Sequence, residues 1–151
     1  SSGVAHERIF VKYDYADRSF TQGTKEAREK EAKRKLLPLK ALIKGKKIVI
    51  TDDSIVRGTQ IKESHVPILK ESGAKEVHAR IGCPLLRDKC GYGKTTKKKE
   101  EIFYVKMGMS KDEDVNRYLG LDSVGFAKPE DLATASGKKL DELCLSCWGI
   151  N

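Results

Sequence analysis

No stretch of this sequence approaches the roughly 18 consecutive apolar residues needed to cross a bilayer, which sets aside a helical membrane protein. The N-terminus, Ser1-Ser2-Gly3-Val4-Ala5-His6-Glu7, has neither the basic start nor the apolar stretch of a secretory signal, so a cytoplasmic location is the expectation. Aromatic residues are scarce, at 7% with a single tryptophan, Trp148. Few platforms therefore exist on which a nucleic-acid binder could stack bases, and no nucleic-acid module motif is present. The three histidines, His6, His65 and His78, are too dispersed to suggest a metal site. Internal repeats and evident linkers are also lacking, and one domain is the simplest reading of 151 residues.

What is present reads as globular. Hydrophobic residues make up 38% and charged residues 34%, a balance that can bury a core. Thirty Lys plus Arg against 22 Asp plus Glu leave a net charge of +8. Such a field attracts anions: nucleic acid, an anionic membrane surface or a phosphorylated small molecule. The positive charge is scattered, with dense patches over 25–47 and 94–99, the second followed at once by Glu100 and Glu101. Both patches, including Lys97-Lys98-Lys99, read as solvated faces and turns.

Along the chain, Ile9-Phe10-Val11 resembles a short strand and Tyr13 to Gly23 a polar loop. Thr24 to Lys35, rich in Ala, Glu, Lys and Arg, predicts a helix that ends near Pro38 among the leucines that follow. Ile48-Val49-Ile50-Thr51 is β-branched throughout and has the look of a buried parallel strand. Residues 60–72 predict a helix stopped by Gly73, kinked or broken at the interior Pro67. Glu76 to Gly82 is the next strand, which makes a βαβ unit with a right-handed crossover. Loop is expected over 83–101, helix from Asp112 to Leu119, a short strand at Asp122 to Ala127, and helical turns at Pro129 to Ala135 and Lys138 to Cys147. Trp148 is expected to anchor the tail against the body.

The chemistry concentrates where the strand at 48–51 ends. Asp52-Asp53-Ser54-Ile55-Val56-Arg57-Gly58-Thr59 leads straight into a helix, and ligands of open α/β sheets sit at such carboxyl ends. Backbone amides there can donate to an anion, and Gly58 permits close approach. Ser54 and Thr59 add hydroxyls. Two adjacent acids would repel a phosphate unless they face something else, either vicinal hydroxyls or a hydrated Mg²⁺. A ribose 5-phosphate offers hydroxyls at one end and phosphate at the other. The plainer alternative is that Asp53 or Ser54 simply caps the next helix.

This string resembles the loop that binds phosphoribosyl diphosphate (PRPP) in the glutamine PRPP amidotransferases, or amidophosphoribosyltransferases, of purine synthesis. The resemblance extends along nearly the whole chain. It takes in Ser2-Gly3-Val4, Val11-Lys12, Arg18-Ser19-Phe20 and Thr24, then Lys33-Arg34-Lys35-Leu36 and Gly45-Lys46-Lys47. It continues through Glu71 to Ile81, Leu119-Gly120-Leu121-Asp122-Ser123 and the final Cys-x-x-Cys. It implies an α/β fold with the parallel sheet of type I phosphoribosyltransferases, and the chain as the rear portion (1–151) of that domain. The first strands, the pyrophosphate-gripping loop and the N-terminal glutaminase domain are expected to be absent.

By position, the resemblance assigns Asp52 and Asp53 to the ribose hydroxyls and to Mg²⁺ through the substrate. Ser54, Ile55, Val56, Arg57, Gly58 and Thr59 go to the 5-phosphate, and Lys12 and Arg18 to a closing catalytic flap. The reaction implied is displacement of pyrophosphate by ammonia from glutamine, which gives phosphoribosylamine. Two departures stand out. The family's Lys-Asn-Arg-Tyr is here Lys12-Tyr13-Asp14-Tyr15, and its Tyr-Gly-Ile-Asp is Tyr92-Gly93-Lys94-Thr95.

Four cysteines, Cys83, Cys90, Cys144 and Cys147, could form two disulfides, but Cys144-x-x-Cys147 in a cytosolic chain points to metal or redox chemistry. The family resemblance places Cys90, Cys144 and Cys147 at three of four [4Fe–4S] ligand positions; zinc and inert thiols are the alternatives. Implied partners are PRPP or a purine nucleotide, with a homo-oligomer or a glutaminase domain. The competing functional readings are a regulatory module that binds PRPP or nucleotide without turnover and, resting on net charge alone, a nucleic-acid binder.

Overall fold

Leu36-Leu37-Pro38 lies extended rather than at a helix end, paired antiparallel with Phe10-Val11-Lys12 in the computed structural model. The structure describes residue 3 and residues 5–12, 36–94 and 96–150. The predicted helix over 24–35, the polar loop over 13–23 and Arg18 lie outside the described residues. Proline tolerates this setting because an edge strand leaves its missing N–H unneeded. The pair is β1 (Phe10–Lys12) and β2 (Leu36–Pro38), continued by the Leu39 N–H donating to the Ile9 carbonyl at 2.9 Å. A single helical turn, α1 (Lys40–Ile43), follows and buries Ile43.

The main sheet is parallel, in the order β3 (Lys47–Asp52), β4 (Glu76–Ile81), β5 (Ser123–Phe126). Between β3 and β4 the expected break at Pro67 takes the form of a π turn, Ile61–His65, running into α2 (Val66–Glu71). The Val66 N–H reaches back five residues to the Ile61 carbonyl, so Pro67 enters in the first turn of a new α-helix, where no N–H is required of it. Helix α2 buries Val66, Ile68 and Leu69. After β4 come α3 (Phe103–Lys106), α4 (Asp112–Leu119) and α5 (Pro129–Ser136), with 3₁₀ turns at Lys99–Glu101, Leu140–Glu142 and Ser146–Trp148. Helix α4 has its expected limits, and Gly120 closes it in the left-handed conformation (φ 72°).

The core forms on one side of the sheet. Val77, Ala79 and Ile81 point into it with Ile48 and Ile50, against Ile61, Leu69, Phe103, Val115 and Leu119. Burying side chains of this size removes about 1.5–3 kcal/mol of exposure each, the dominant favourable term. The opposite face carries Lys47, Val49 and Thr51 beside Glu76, His78 and Arg80, with Ser123 next in register. There a polar row crosses the strands. Lys47 Nζ lies 2.8 Å from Glu76 Oε1, the His78 ring bridges Glu76 (3.1 Å) and Ser123 (2.8 Å), and Arg80 lies over Gly125.

The expected burial of β3 on both faces is therefore corrected: its residues alternate, and Val49 is 52% exposed. Among the described residues β3 has a neighbour on one edge only, and the helices cover one face. Strand β5 is secured from two sides. The Val77 N–H donates to Asp122 Oδ2 at 2.8 Å, and the Val124 N–H to Asn116 Oδ1 at 2.7 Å.

Candidate functional site

At the carboxyl end of β3 the chain turns through Asp53 to Gly58 and enters the π turn, and this turn borders a cleft of about 650 Å³. Asp52, Ser54 to Ile61, Thr96 and Glu101 line it. Seven of the eight residues that the sequence assigns to sugar-phosphate binding thus share one concavity; Asp53 lies beside it. The Gly82 N–H bonds the Asp52 carbonyl at 2.9 Å, so the ends of β3 and β4 stay together under the site.

The loop is held from behind. The Phe103 N–H donates to the Val56 carbonyl at 2.9 Å, and Ile55 is buried. Gly58 has a positive φ of 70°, and a Cβ placed on it would stand 2.9 Å from Leu119 Cδ2 and 3.7 Å from Phe103. Only glycine meets both demands. The Phe103 and Tyr118 rings stack at 5.4 Å, and Lys62 Nζ sits 3.9 Å over Tyr118, which completes an aromatic buttress beneath the turn.

What the loop presents is donor-rich. The amides of Ile55, Val56, Arg57 and Gly58 donate to no acceptor among the described residues. Amides left open at the start of a helical segment are suited to a phosphoryl group. The two acids partly organise the turn, since the Asp53 N–H donates to Asp52 Oδ1 (3.0 Å) and the Ser54 N–H to Asp53 Oδ1 (2.9 Å). Neither acid is in a salt bridge among the described residues, and each keeps oxygens for other donors. Burial pushes the Asp52 carboxyl above the ordinary aspartate range, an effect the Asp53 amide opposes and the Asp53 carboxyl reinforces. His65, at the end of the π turn, lies 5.7 Å from the Phe10 ring between centroids. Burial holds its pKa down, and Asp52 draws it back up.

Two cleft residues went unrecognised in sequence. Glu101 Oε1 lies 3.2 Å from Arg57 Nη2, and Thr96 is buried at 6% exposure. Thr96 lies within the lysine-rich stretch 94–99 and Glu101 just after it, where only charge is legible and nothing marks a return to the site. Lys12 is placed in β1, and its side chain, like Arg18, lies outside the described residues.

The cysteines surround the chain's C-terminal tail, where the Cys147 carbonyl accepts from the Arg87 and Asp88 amides at 2.9 and 3.0 Å. None is in a disulfide. Burial raises the Cys83 and Cys147 thiols, with neighbouring cysteines adding to it, while Cys144 is exposed, 3.5 Å from Ser146 Oγ. Among the described residues no three His, Cys, Asp or Glu side chains are gathered closely enough to hold a metal ion, so the trio does not form a ready cluster site. No described helix is long and apolar enough to cross a membrane.

No protein-family model matches the chain. Among curated relatives it is 36% identical over 147 residues to the amidophosphoribosyltransferase of Methanothermobacter thermautotrophicus, covering 97% of this chain and 30% of that enzyme. To the enzyme of the same name from Bacillus subtilis it is 33% identical over 152 residues. Among solved structures it superposes on the B. subtilis glutamine PRPP amidotransferase complexed with ADP and GMP, with a TM-score of 0.75, 34% identity and 94% of this chain covered. It also superposes on a structure described as the allosteric regulatory enzyme of purine biosynthesis, with a TM-score of 0.78, 31% identity and 97% covered. The chain spans about a third of the length of these proteins. The fold is that of their type I phosphoribosyltransferase domains.

Proposed function

The chain is a homologue of the amidophosphoribosyltransferases over about 30% of their length, and from this we propose that its cleft binds the ribose 5-phosphate half of PRPP. One observation carries the reading: residues 55–58, whose amides donate to no acceptor among the described residues, line the cleft beside an acid pair at the carboxyl end of β3. In this arrangement Asp52 and Asp53 accept hydrogen bonds from the vicinal ribose hydroxyls, while the amides of 55–59 with the Ser54 and Thr59 hydroxyls hold the phosphate. Lys12 and Arg18 would belong to a segment that closes over the ligand.

The donor set fits Mg²⁺ only through substrate. Two carboxylates alone do not hold the ion, whereas this cation is commonly bound by one or two carboxylates plus substrate phosphates. Bound there, it would offset charge on the departing pyrophosphate. The chain's own contribution to phosphoribosylamine synthesis is orientation: a sugar held at both ends keeps its anomeric carbon in place for displacement by ammonia. Glutamine-derived ammonia, a glutaminase domain or second subunit, purine nucleotides as ligands and a cytoplasmic setting complete the proposal. For Cys90, Cys144 and Cys147 it is narrower. They are candidate cluster ligands that need rearrangement and a fourth thiolate. Anaerobic reconstitution with iron and sulfide analysis tests this: four irons per chain support the role, and no retained iron removes it.

A second reading is favoured by the departures Lys12-Tyr13-Asp14-Tyr15 and Tyr92-Gly93-Lys94-Thr95 from the family's pattern: a module that binds PRPP or a purine nucleotide without turning it over. Calorimetric titration with PRPP and Mg²⁺, paired with an ammonia-dependent assay of pyrophosphate release, separates the two. Binding with release supports the transferase; binding without release supports the module. No binding of any ribose phosphate contradicts both.

A further inference from the structure

The mouth of the cleft carries a charge pair whose acid the binding reading leaves without a role. Arg57 Nη2 stands 3.2 Å from Glu101 Oε1, with the two side chains 68% and 37% exposed, and both residues line the same cavity. The loop does not need this pair for its shape. Its backbone is fastened by the bond from the Phe103 amide to the Val56 carbonyl, and by Gly58 lying against Leu119. Glu101, in contrast, is firmly placed. It ends the 3₁₀ turn Lys99–Glu101 and is followed directly by the buried Ile102 and Phe103. An acid is thus held over the arginine that, among the described residues, lines a cleft otherwise suited to anions.

We propose that Glu101 is a positioning residue of this cleft, holding the Arg57 guanidinium at its mouth as a resting partner that an incoming phosphoryl group replaces. The inference rests on the sugar-phosphate reading of the loop and adds a regulating element to it. An exposed ion pair contributes little to stability, so exchanging it is cheap. A guanidinium fork donates to carboxylate and to phosphate oxygens in the same bidentate geometry, which makes one oxyanion a fitting substitute for another. The exchange selects by charge. A phosphomonoester near neutral pH carries close to two negative charges and displaces a single carboxylate, whereas a monoanion does so poorly. While the pair is closed, Arg57 offers little field to inorganic ions of single charge.

The test is a double-mutant cycle on the 151-residue chain: wild type, Glu101→Gln, Arg57→Gln and the double variant. Each is titrated calorimetrically with ribose 5-phosphate at low salt, with thermal unfolding as the control for folding. Removing the competing carboxylate is expected to tighten binding by about three- to tenfold. Arg57→Gln is expected to weaken it, and Glu101→Gln is expected to have little effect once Arg57 is gone. Wild type and Glu101→Gln are also titrated with acetate, and the variant should discriminate less against this monoanion. A Glu101→Gln variant that binds ribose 5-phosphate as the wild type does, or more weakly, overturns the proposal. So does an equal effect in both Arg57 backgrounds, which would mean simple repulsion. A wild type that binds no ribose 5-phosphate overturns the underlying reading instead.

Discussion

Gly58 and Leu119 are in mutual steric control: a Cβ on the glycine would stand 2.9 Å from Leu119 Cδ2, closer than side-chain carbons approach in folded proteins. The glycine's φ of 70° adds backbone strain to any replacement. Gly58→Ala is expected to lower stability by about 1–3 kcal/mol and to displace the loop. Urea unfolding reads the first effect and ribose 5-phosphate affinity the second; a variant unchanged in both would contradict the buttress.

Asp52 should trade stability for binding. Its folded-state pKa lies above the unfolded value because burial opposes the charge. The native state therefore holds this proton more tightly, a contribution that favours folding below the unfolded pKa and is lost as pH rises through the folded one. Near neutral pH the ionised acid opposes folding. Asp52→Asn removes that charge and keeps an oxygen for the Asp53 amide. The expected result is a urea midpoint equal to or above wild type, with ribose 5-phosphate binding weakened at least about tenfold. A loss of stability with intact binding would oppose this.

His65 gives the opposite dependence. Burial depresses its pKa from 6.5, with Asp52 a smaller opposing influence, so the fold favours the neutral ring. Its contribution is complete above the unfolded pKa and is lost as pH falls toward the folded value. Unfolding midpoints followed downward from neutral pH should decline, and His65→Gln should flatten that slope while lowering stability throughout by removing the Phe10 contact. An unchanged slope would assign the acid sensitivity to other groups.

Alkylation should be ordered among the cysteines. Cys144 is exposed, while Cys83 and Cys147 are half-buried with raised pKa values. Since the thiolate is the nucleophile, iodoacetamide at neutral pH should modify Cys144 about tenfold faster than either. Peptide mass spectrometry checks the order, and early modification of Cys83 would reverse it.

Local signals made much of the fold legible. The β-branched run at 48–51, the limits of Asp112–Leu119 and the break at Pro67 follow from propensity, capping and the missing proline N–H. The extended Leu36-Leu37-Pro38 was not legible, because only its pairing with a strand more than twenty residues earlier makes it a strand. The same holds for the exposed face of β3. A β-branched run announces a strand, but its cover depends on what packs there, and Val49 is left half-exposed. At the site, the contiguous loop from Asp52 to Thr59 could be read directly. Glu101 and Thr96 could not, since they reach the cleft through a tertiary return that leaves no periodicity.

The most direct trial of the account is amide NMR of the ¹⁵N-labelled chain during titration with ribose 5-phosphate. The largest shifts are expected at the Val56, Arg57, Gly58 and Thr59 amides, saturating together and failing to appear in Asp52→Asn over the same range. Shifts spread over the lysine-rich surface, or a loop that stays silent while ligand binds elsewhere, would contradict it.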